Sequence, residues 1–462
     1  MSVEQNARAP DAQEGLPEPR RNWAAFTILV GISLSVLDAS MANVALPAIA
    51  RELGSSASSV VWIVNAYGLT LVMTLLPFSS IGERVGFKKL FRLGLLVFIV
   101  SSVCSALAPS LQWLLVFRVF QGLGASAIMC LFGGLIRHIY PPSAISRGIG
   151  LNAMTVGVMS VLGPTIGSFI LSVGNWHWIF ALNVPIGILA YWGSKSLPDV
   201  PRVESRFDHF AALLSMFTVG ALIIGIDYIS TYPLQAIGIL ALGAVTGIIL
   251  VRRSAQQTAP LVPVDLFRIP ALRFALMASA STFSAQMATF ISLPFYLQQT
   301  LGKSQSSVGF LMASWPAGAA LIALIAGRLS NRYPVAILSG MGAGAMAIGV
   351  ALIVALPAGA SDYWLMLAMM LAGVGFGFFQ TPNNRVLIGS APRHRAGALG
   401  GLQATTRVFG QTFGGAVVAS VFALGFSAGP ELGLIVAILF ALVAVAVNVI
   451  RYRQAGSSAK EG

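Results

Sequence analysis

The sequence predicts an all-α integral membrane protein of fourteen spans with both termini in the cytosol. Three observations predict it. Of 462 residues, 56% are hydrophobic and only 9% are charged, against roughly 25% charged in soluble domains. The apolar residues gather into runs of about 20, the length that a helix needs to cross the hydrocarbon core. The basic residues stand in the short connections between runs, and mainly in alternate connections. Such runs are too long for barrel strands, so helix is the spanning form.

Taken in order, the fourteen segments lie near 24–45, 60–79, 90–108, 112–136, 148–172, 176–196, 210–229, 233–251, 273–299, 306–327, 335–356, 363–383, 397–425 and 431–450. Residues 1–22, with Pro10, Pro17 and Pro19, lack the apolar centre of a secretory signal and read as a disordered cytosolic tail. Residues 453–462 read as a second tail. The connections after even-numbered segments carry Arg84, Lys88, Lys89 and Arg92, then Arg137 and Arg147, and so on to Arg385, Arg393 and Arg395. The opposite connections hold little more than Arg51 and Lys303. The bias of basic residues towards the cytosolic side then orients the chain.

The same distribution excludes other classes. The formal charge of +13 lies in topology-setting loops, so it does not mark a nucleic-acid binder. Cys104 and Cys130 sit in separate apolar segments and suggest neither a disulfide framework nor a metal site. No zinc-ligand spacing, nucleotide-binding loop or catalytic constellation occurs, so neither an enzyme nor a cofactor is expected.

The chain repeats itself. Arg84 and Arg332, Arg147 and Arg395, and Gly167 and Gly415 are each 248 residues apart. One constant offset predicts a duplicated six-helix unit: an N-terminal bundle at 23–198 and a C-terminal bundle at 271–452. The linker and segments 7 and 8, at 199–270, are then an insert. Repeated halves around a midplane site are the architecture of rocking transporters. The offset carries Asp38 to Gln286.

Asp38 is a carboxylate inside the first span, in Leu37-Asp38-Ala39-Ser40-Met41-Ala42-Asn43-Val44-Ala45-Leu46-Pro47. Ionisable groups at membrane depth are expensive and mark functional sites. Arg118 opens Arg118-Val119-Phe120-Gln121-Gly122 in the fourth segment. Both residues lie about 7–8 residues from the outer end, roughly 10–12 Å at helical rise, so they share a depth. Segment 5 carries Gly157, Gly163, Pro164 and Gly167, small residues that allow close helix approach. The loop after segment 2 reads Ser79 to Lys88 and includes Glu83, Arg84 and Gly86. Trp176-His177-Trp178 and Asn183-Val184-Pro185 belong to segment 6.

As a set these motifs resemble the major facilitator superfamily, and within it the fourteen-helix drug:proton antiporters. The resemblance implies the major-facilitator fold. It implies a proton-binding role for Asp38, a coupling role for Arg118, a gating loop at Glu83, Arg84, Gly86 and Arg332, and an antiporter motif at Gly157, Gly163, Pro164 and Gly167. Glu83 stands where the family has Asp, and Ser168 where it has the last Gly.

A central cavity is expected to draw on Trp62, Asn65, Tyr67, Gln286, Phe290, Trp315 and Arg407, with Asn152, Met287, Gln380 and Gln403 beside them. Apart from Asp38, only Asp227 is expected as an acid in or near a span. The expected function is proton-coupled export of amphipathic small molecules, monovalent lipophilic cations and neutral amphiphiles among them. The alternative is a dedicated carrier for one metabolite such as an organic anion, anchored by Arg407 or Arg118. A membrane sensor or scaffold is the remote alternative, and no soluble regulatory domain supports it. Protons, substrate and the lipid of the cytoplasmic membrane are the expected partners, and a monomer is the expected form.

Overall fold

A computed structural model of the chain describes residues 15–141, 144–200, 202, 207–257, 264–330, 332–357, 359–389, 396–425 and 428–458. Among the described residues there is no strand. The helices are α1 (Arg20–Glu52), α2 (Ala57–Val85), α3 (Phe87–Ala106), α4 (Leu111–Met129), α5 (Phe132–Ile139), α6 (Ile145–Val173), α7 (His177–Ala181), α8 (Asn183–Gly193), α9 (His209–Tyr228) and α10 (Pro233–Ala255). They continue as α11 (Pro270–Phe295), α12 (Gln305–Leu329), α13 (Val335–Ala355), α14 (Asp362–Gly389), α15 (Ala396–Ala423) and α16 (Gly429–Ser458).

Each of the fourteen predicted segments is helical. Among the described residues, twelve helical stretches are long and apolar enough to cross a membrane, with α4 and α5 counted as one. The other two segments are 6 and 13. Segment 6 divides at Leu182 into α7 and α8, because Pro185 has no N–H for the carbonyl of Ala181. Segment 13 is α15, whose Gln403, Thr405, Thr406, Arg407 and Gln411 dilute its apolar character.

The tails need correction at both ends. Helix α1 starts at Arg20 and α16 runs to Ser458, inside the stretches read as tails. Arg20 is held there by its side chain, which donates to the carbonyl of Ser196 at 3.1 Å. Residues 1–14 and 459–462 lie outside the described residues, as do Arg393 and Arg395 of the repeat.

The helices pack in two groups. Helices α1–α8 pack among themselves and α11–α16 do likewise, while α2 meets α15 and α6 meets α12 across the seams between them. Ser56 and Ser304, 248 residues apart, cap α2 and α12 in the same way, each accepting from the backbone N–H three residues on. One apolar core joins the groups at the end of the molecule where α1 and α11 terminate, here called the distal end. It runs from Met41–Ile49 and Val60–Val64 to Ala288–Leu297 and Val308–Trp315. At the other end the core around Leu272, Leu387 and Leu402 belongs to the second group alone.

The insert is central in sequence and peripheral in space. Helix α9 lies over the α2/α15 seam and α10 packs against α9. Asp208 caps α9, accepting from the N–H of Ala211 at 2.9 Å, and also accepts from Gln257 at 2.8 Å and Arg253 at 3.1 Å. These hydrogen bonds, the Ala211 N–H foremost, hold its carboxyl below the usual aspartate range. Stability from this cap is therefore present above the unfolded aspartate pKa and is lost as pH falls through the lowered one. Asp208→Ala should lower stability by about 1 kcal/mol at neutral pH and by less in acid, read by thermal unfolding in detergent.

Candidate functional site

Asp38 sits mid-way along α1 and is fully buried, as is Arg118 on α4. Arg118 Nη1 donates to Asp38 Oδ2 at 2.5 Å. Asn183, at the start of α8, donates through Nδ2 to the other oxygen, Oδ1, at 2.6 Å. Both carboxylate oxygens are thus occupied, one by a charge. A buried pair of this kind gains little net stability, and removal of one partner alone is costly.

Arg118 does not depend on Asp38 for its place. Its Nε donates to the carbonyl of Ile63 on α2 at 2.9 Å, and Nη1 also donates to Gln121 Oε1 at 2.9 Å. Gln121 is oriented in turn by donating to Ser102 Oγ at 2.7 Å. The guanidinium lies 4.3 Å from the centre of the Tyr67 ring, whose hydroxyl donates to the carbonyl of Ser35. Only Nη2 lacks a protein partner. Loss of the charge on Asp38 would leave Arg118 with Ile63, Gln121 and Tyr67. The site can therefore exist in two charge states without collapse.

The glycines of segment 5 divide by position. A methyl at Gly163 would overlap the Cβ of Ser40, two residues from Asp38 on α1. Gly167 packs on Met41, 3.3 Å from where its Cβ would stand. Gly157 has nothing within 4 Å of that position. Pro164 lies within α6, and its carbonyl stands beside Gly309 of α12, at the α6/α12 seam.

The expected gating loop joins α2 to α3. Glu83 is exposed and joins no ion pair among the described residues. Arg84 donates to the carbonyl of Ser80 at 2.6 Å and lies over Phe207 of the linker to α9. Gly86 takes a φ of +105°, which lets α2 turn directly into α3. Lys88 pairs with Asp199 of the linker at 3.4 Å. Arg332 is exposed, and its neighbour Ser330 is gripped by Arg385 of α14.

Several expected cavity residues are buried in this conformation, among them Asn65 and Trp315, whose side-chain polar atoms have no hydrogen-bond partner among the described residues. Asn65 is buried against Gly415 at the α2/α15 seam. Tyr67 covers Arg118. Trp315 is buried and meets Phe290 edge-on at 5.4 Å. Gln403 donates to Asn384. Gln286 and Arg407 remain part-exposed, and Gln411 donates to Gln286 in a long hydrogen bond of 3.5 Å.

Trp62 has a different employment. Its Nε1 donates to Asp227 Oδ1 at 3.1 Å, and Ser420 of α15 donates to the carbonyl of Ile226 at 2.8 Å. The end of α9 thereby clips both sides of the α2/α15 seam, one residue from the Ile63 carbonyl that holds Arg118. Trp62→Phe keeps the ring and removes the donor. It should cost about 1–3 kcal/mol, seen as a lower thermal midpoint in detergent.

Two further residues were given no role by the sequence reading. Asn183 is the side chain that completes the carboxylate, and its signals were its place in the Asn183-Val184-Pro185 motif and an amide in an apolar segment. Glu431, in the first turn of α16, is a further acid at the end of a span, with Oε2 buried and unpartnered.

The Major Facilitator Superfamily profile matches residues 28–415 and again 274–460. The chain is 40% identical over 451 residues to an uncharacterized transporter, YebQ, of Escherichia coli K12, covering 96% of this chain and 99% of that protein. It is 30% identical over 408 residues to the riboflavin transporter RibZ of Clostridioides difficile, covering 87% and 89%. It is 28% identical over 418 residues to the tetracenomycin C resistance and export protein of Streptomyces glaucescens, covering 87% and 76%.

Proposed function

The chain belongs to the major facilitator superfamily, as a multi-pass transporter of the bacterial inner membrane related to drug-efflux proteins, and on that footing we propose that it is a proton-coupled antiporter exporting amphipathic small molecules by alternating access. The observation that carries the reading is the buried Asp38–Arg118 pair. Neither charge stabilises the fold enough to justify its place in a lipid-embedded bundle, so the pair is best explained by what it does when a proton arrives.

In the proposed cycle the proton neutralises Asp38 and releases Arg118 to Ile63, Gln121 and Tyr67. Ile63 and Tyr67 both lie on α2, which forms one seam with the second group. The release therefore changes how tightly α2 is held, and so biases the two halves between open and closed. All fourteen helical segments are taken as spans, with termini in the cytosol and the closed distal end at the periplasm. One proton entering supplies about 2.3 kcal/mol per 100 mV of membrane potential. Export of tetracenomycin C by a relative supports efflux of amphiphiles. The name of the riboflavin relative supports a dedicated carrier built on the same coupling device.

The test is uptake of amphipathic dyes into inverted vesicles energised by a proton gradient. Uptake collapsed by a protonophore is the expected result. Uptake indifferent to the gradient would sink the reading. A panel of unrelated substrates separates a broad exporter from a dedicated carrier.

A further inference from the structure

We infer that the transported molecule is an amphipathic monoanion, and that Arg407 of α15 holds its charged head. The inference rests on the exporter reading and names its substrate class.

The first argument is a charge inventory. Near mid-depth the chain carries Asp38, Arg118 and Arg407. Asp38 has both oxygens occupied, by Arg118 and Asn183. No negative charge is therefore left at the centre to attract a cation. Arg407 is left over. It forms no hydrogen bond or ion pair with any described residue, and its buried Nε has no acceptor. The other acids of the described spans stand at or near helix ends: Glu52 and Glu83 close α1 and α2, Asp227 is held by Trp62, Asp362 pairs with Lys303, and Glu431 lies in the first turn of α16. The three central charges sum to +1.

The second argument is placement. Arg407 lies on α15 where that helix meets α2, and its neighbour Val408 packs in the same apolar core as Tyr67. Tyr67 is the ring that covers Arg118. The unpaired cation therefore stands on the helix packed against the α2 segment that holds Arg118. One turn along α15, Gln411 reaches Gln286 of α11. Phe283 and Phe290, three residues before and four after Gln286, share its side of α11 and pack with Trp315 and Phe376. A guanidinium with amides beside it suits an oxyanion, and the packed aromatic core beyond it bounds the place with apolar surface.

The charge carried per cycle follows. Exchange of one entering proton for one leaving monoanion moves two elementary charges in the same electrical direction. Exchange of a proton for a monocation moves none. Membrane potential alone should therefore drive the anion and leave the cation unmoved.

The test uses the full chain in proteoliposomes with two permanently charged probes: a dansyl-alkyl sulfonate and a dansyl-alkyl trimethylammonium ion of equal chain length. A proton gradient should move the sulfonate about tenfold faster than the cation, and a potassium diffusion potential without a pH gradient should move the sulfonate only. Arg407→Gln should cut sulfonate transport about tenfold, and Arg407→Lys should retain part of it. Faster movement of the cation, or full sulfonate transport in Arg407→Gln, overturns the inference and leaves proton-coupled export standing. Movement of neither probe by the proton gradient overturns both. Should Arg407→Gln fail to fold, the wild-type comparison of the two probes and the lysine variant decide.

Discussion

Asp38→Asn is expected to abolish proton-driven exchange, by about a hundredfold or more, while the protein still folds. Asparagine has nearly the shape of aspartate, so its amide can accept from Arg118 or Asn183 through one oxygen. What it cannot do is carry a charge or exchange a proton. The variant leaves Arg118 buried without a counter-ion, a loss of about 3–5 kcal/mol where nothing else holds the charge. Here Ile63, Gln121 and the Tyr67 ring still hold the guanidinium, so the measured loss should fall below that range. Arg118→Gln in the same background removes the orphaned charge. The double variant should recover thermal stability over Asp38→Asn and recover no proton-driven uptake. Uptake is measured in inverted vesicles and stability by unfolding in detergent. Retained uptake in Asp38→Asn would place the proton elsewhere in the chain. Substrate-for-substrate exchange without a gradient supplies the complementary readout, since it needs the cavity and the rocking motion but no net proton movement.

The all-helical fold was legible because lipid leaves few options: long apolar runs must be helices, and the runs could be counted. Sequence spacing also put Asp38 and Arg118 at one depth, since helical rise converts residue number into distance along the membrane normal. Lateral partners are not written in that way. Depth alone did not distinguish Asn183 from other polar residues in apolar segments, and its contact depends on how α7 and α8 break at Leu182. Trp62, Asn65, Tyr67 and Trp315 read as cavity walls because polar and aromatic groups in spans suit a pocket. Their neighbours in the fold, among them Asp227, Gly415, Arg118 and Phe290, could not be read from residue type. Glu83 and Arg84 suggested a gate by their position in a motif, and Arg84 turns towards Ser80 and Phe207. Motif position identifies a residue type at a place along the chain. Which way the side chain turns is decided by the linker that folds over it.

The glycines of α6 give the second large effect, because equal substitutions should act with opposite sign. Gly163→Ala puts a methyl onto Ser40 Cβ, where neither helix has a flexible side-chain end to move aside. Relief requires α6 and α1 to separate, two residues from Asp38. Overpacking of this kind costs about 1–3 kcal/mol, and here the displaced backbone also carries the carboxylate away from Arg118 and Asn183. Transport should fall further than stability, because a shift of a few tenths of an ångström weakens short charged hydrogen bonds before it unfolds a helix pair. Gly157→Ala meets nothing within 4 Å. It exchanges a flexible residue for a better helix former, worth about 0.5–1 kcal/mol in favour of the fold. Its thermal midpoint should rise or hold, with transport unchanged. Equal loss in both variants would mean that α6 needs its glycines for bending during the cycle and not for contact with α1. Loss at Gly163 alone ties the motif to the place where α6 sets the position of Asp38.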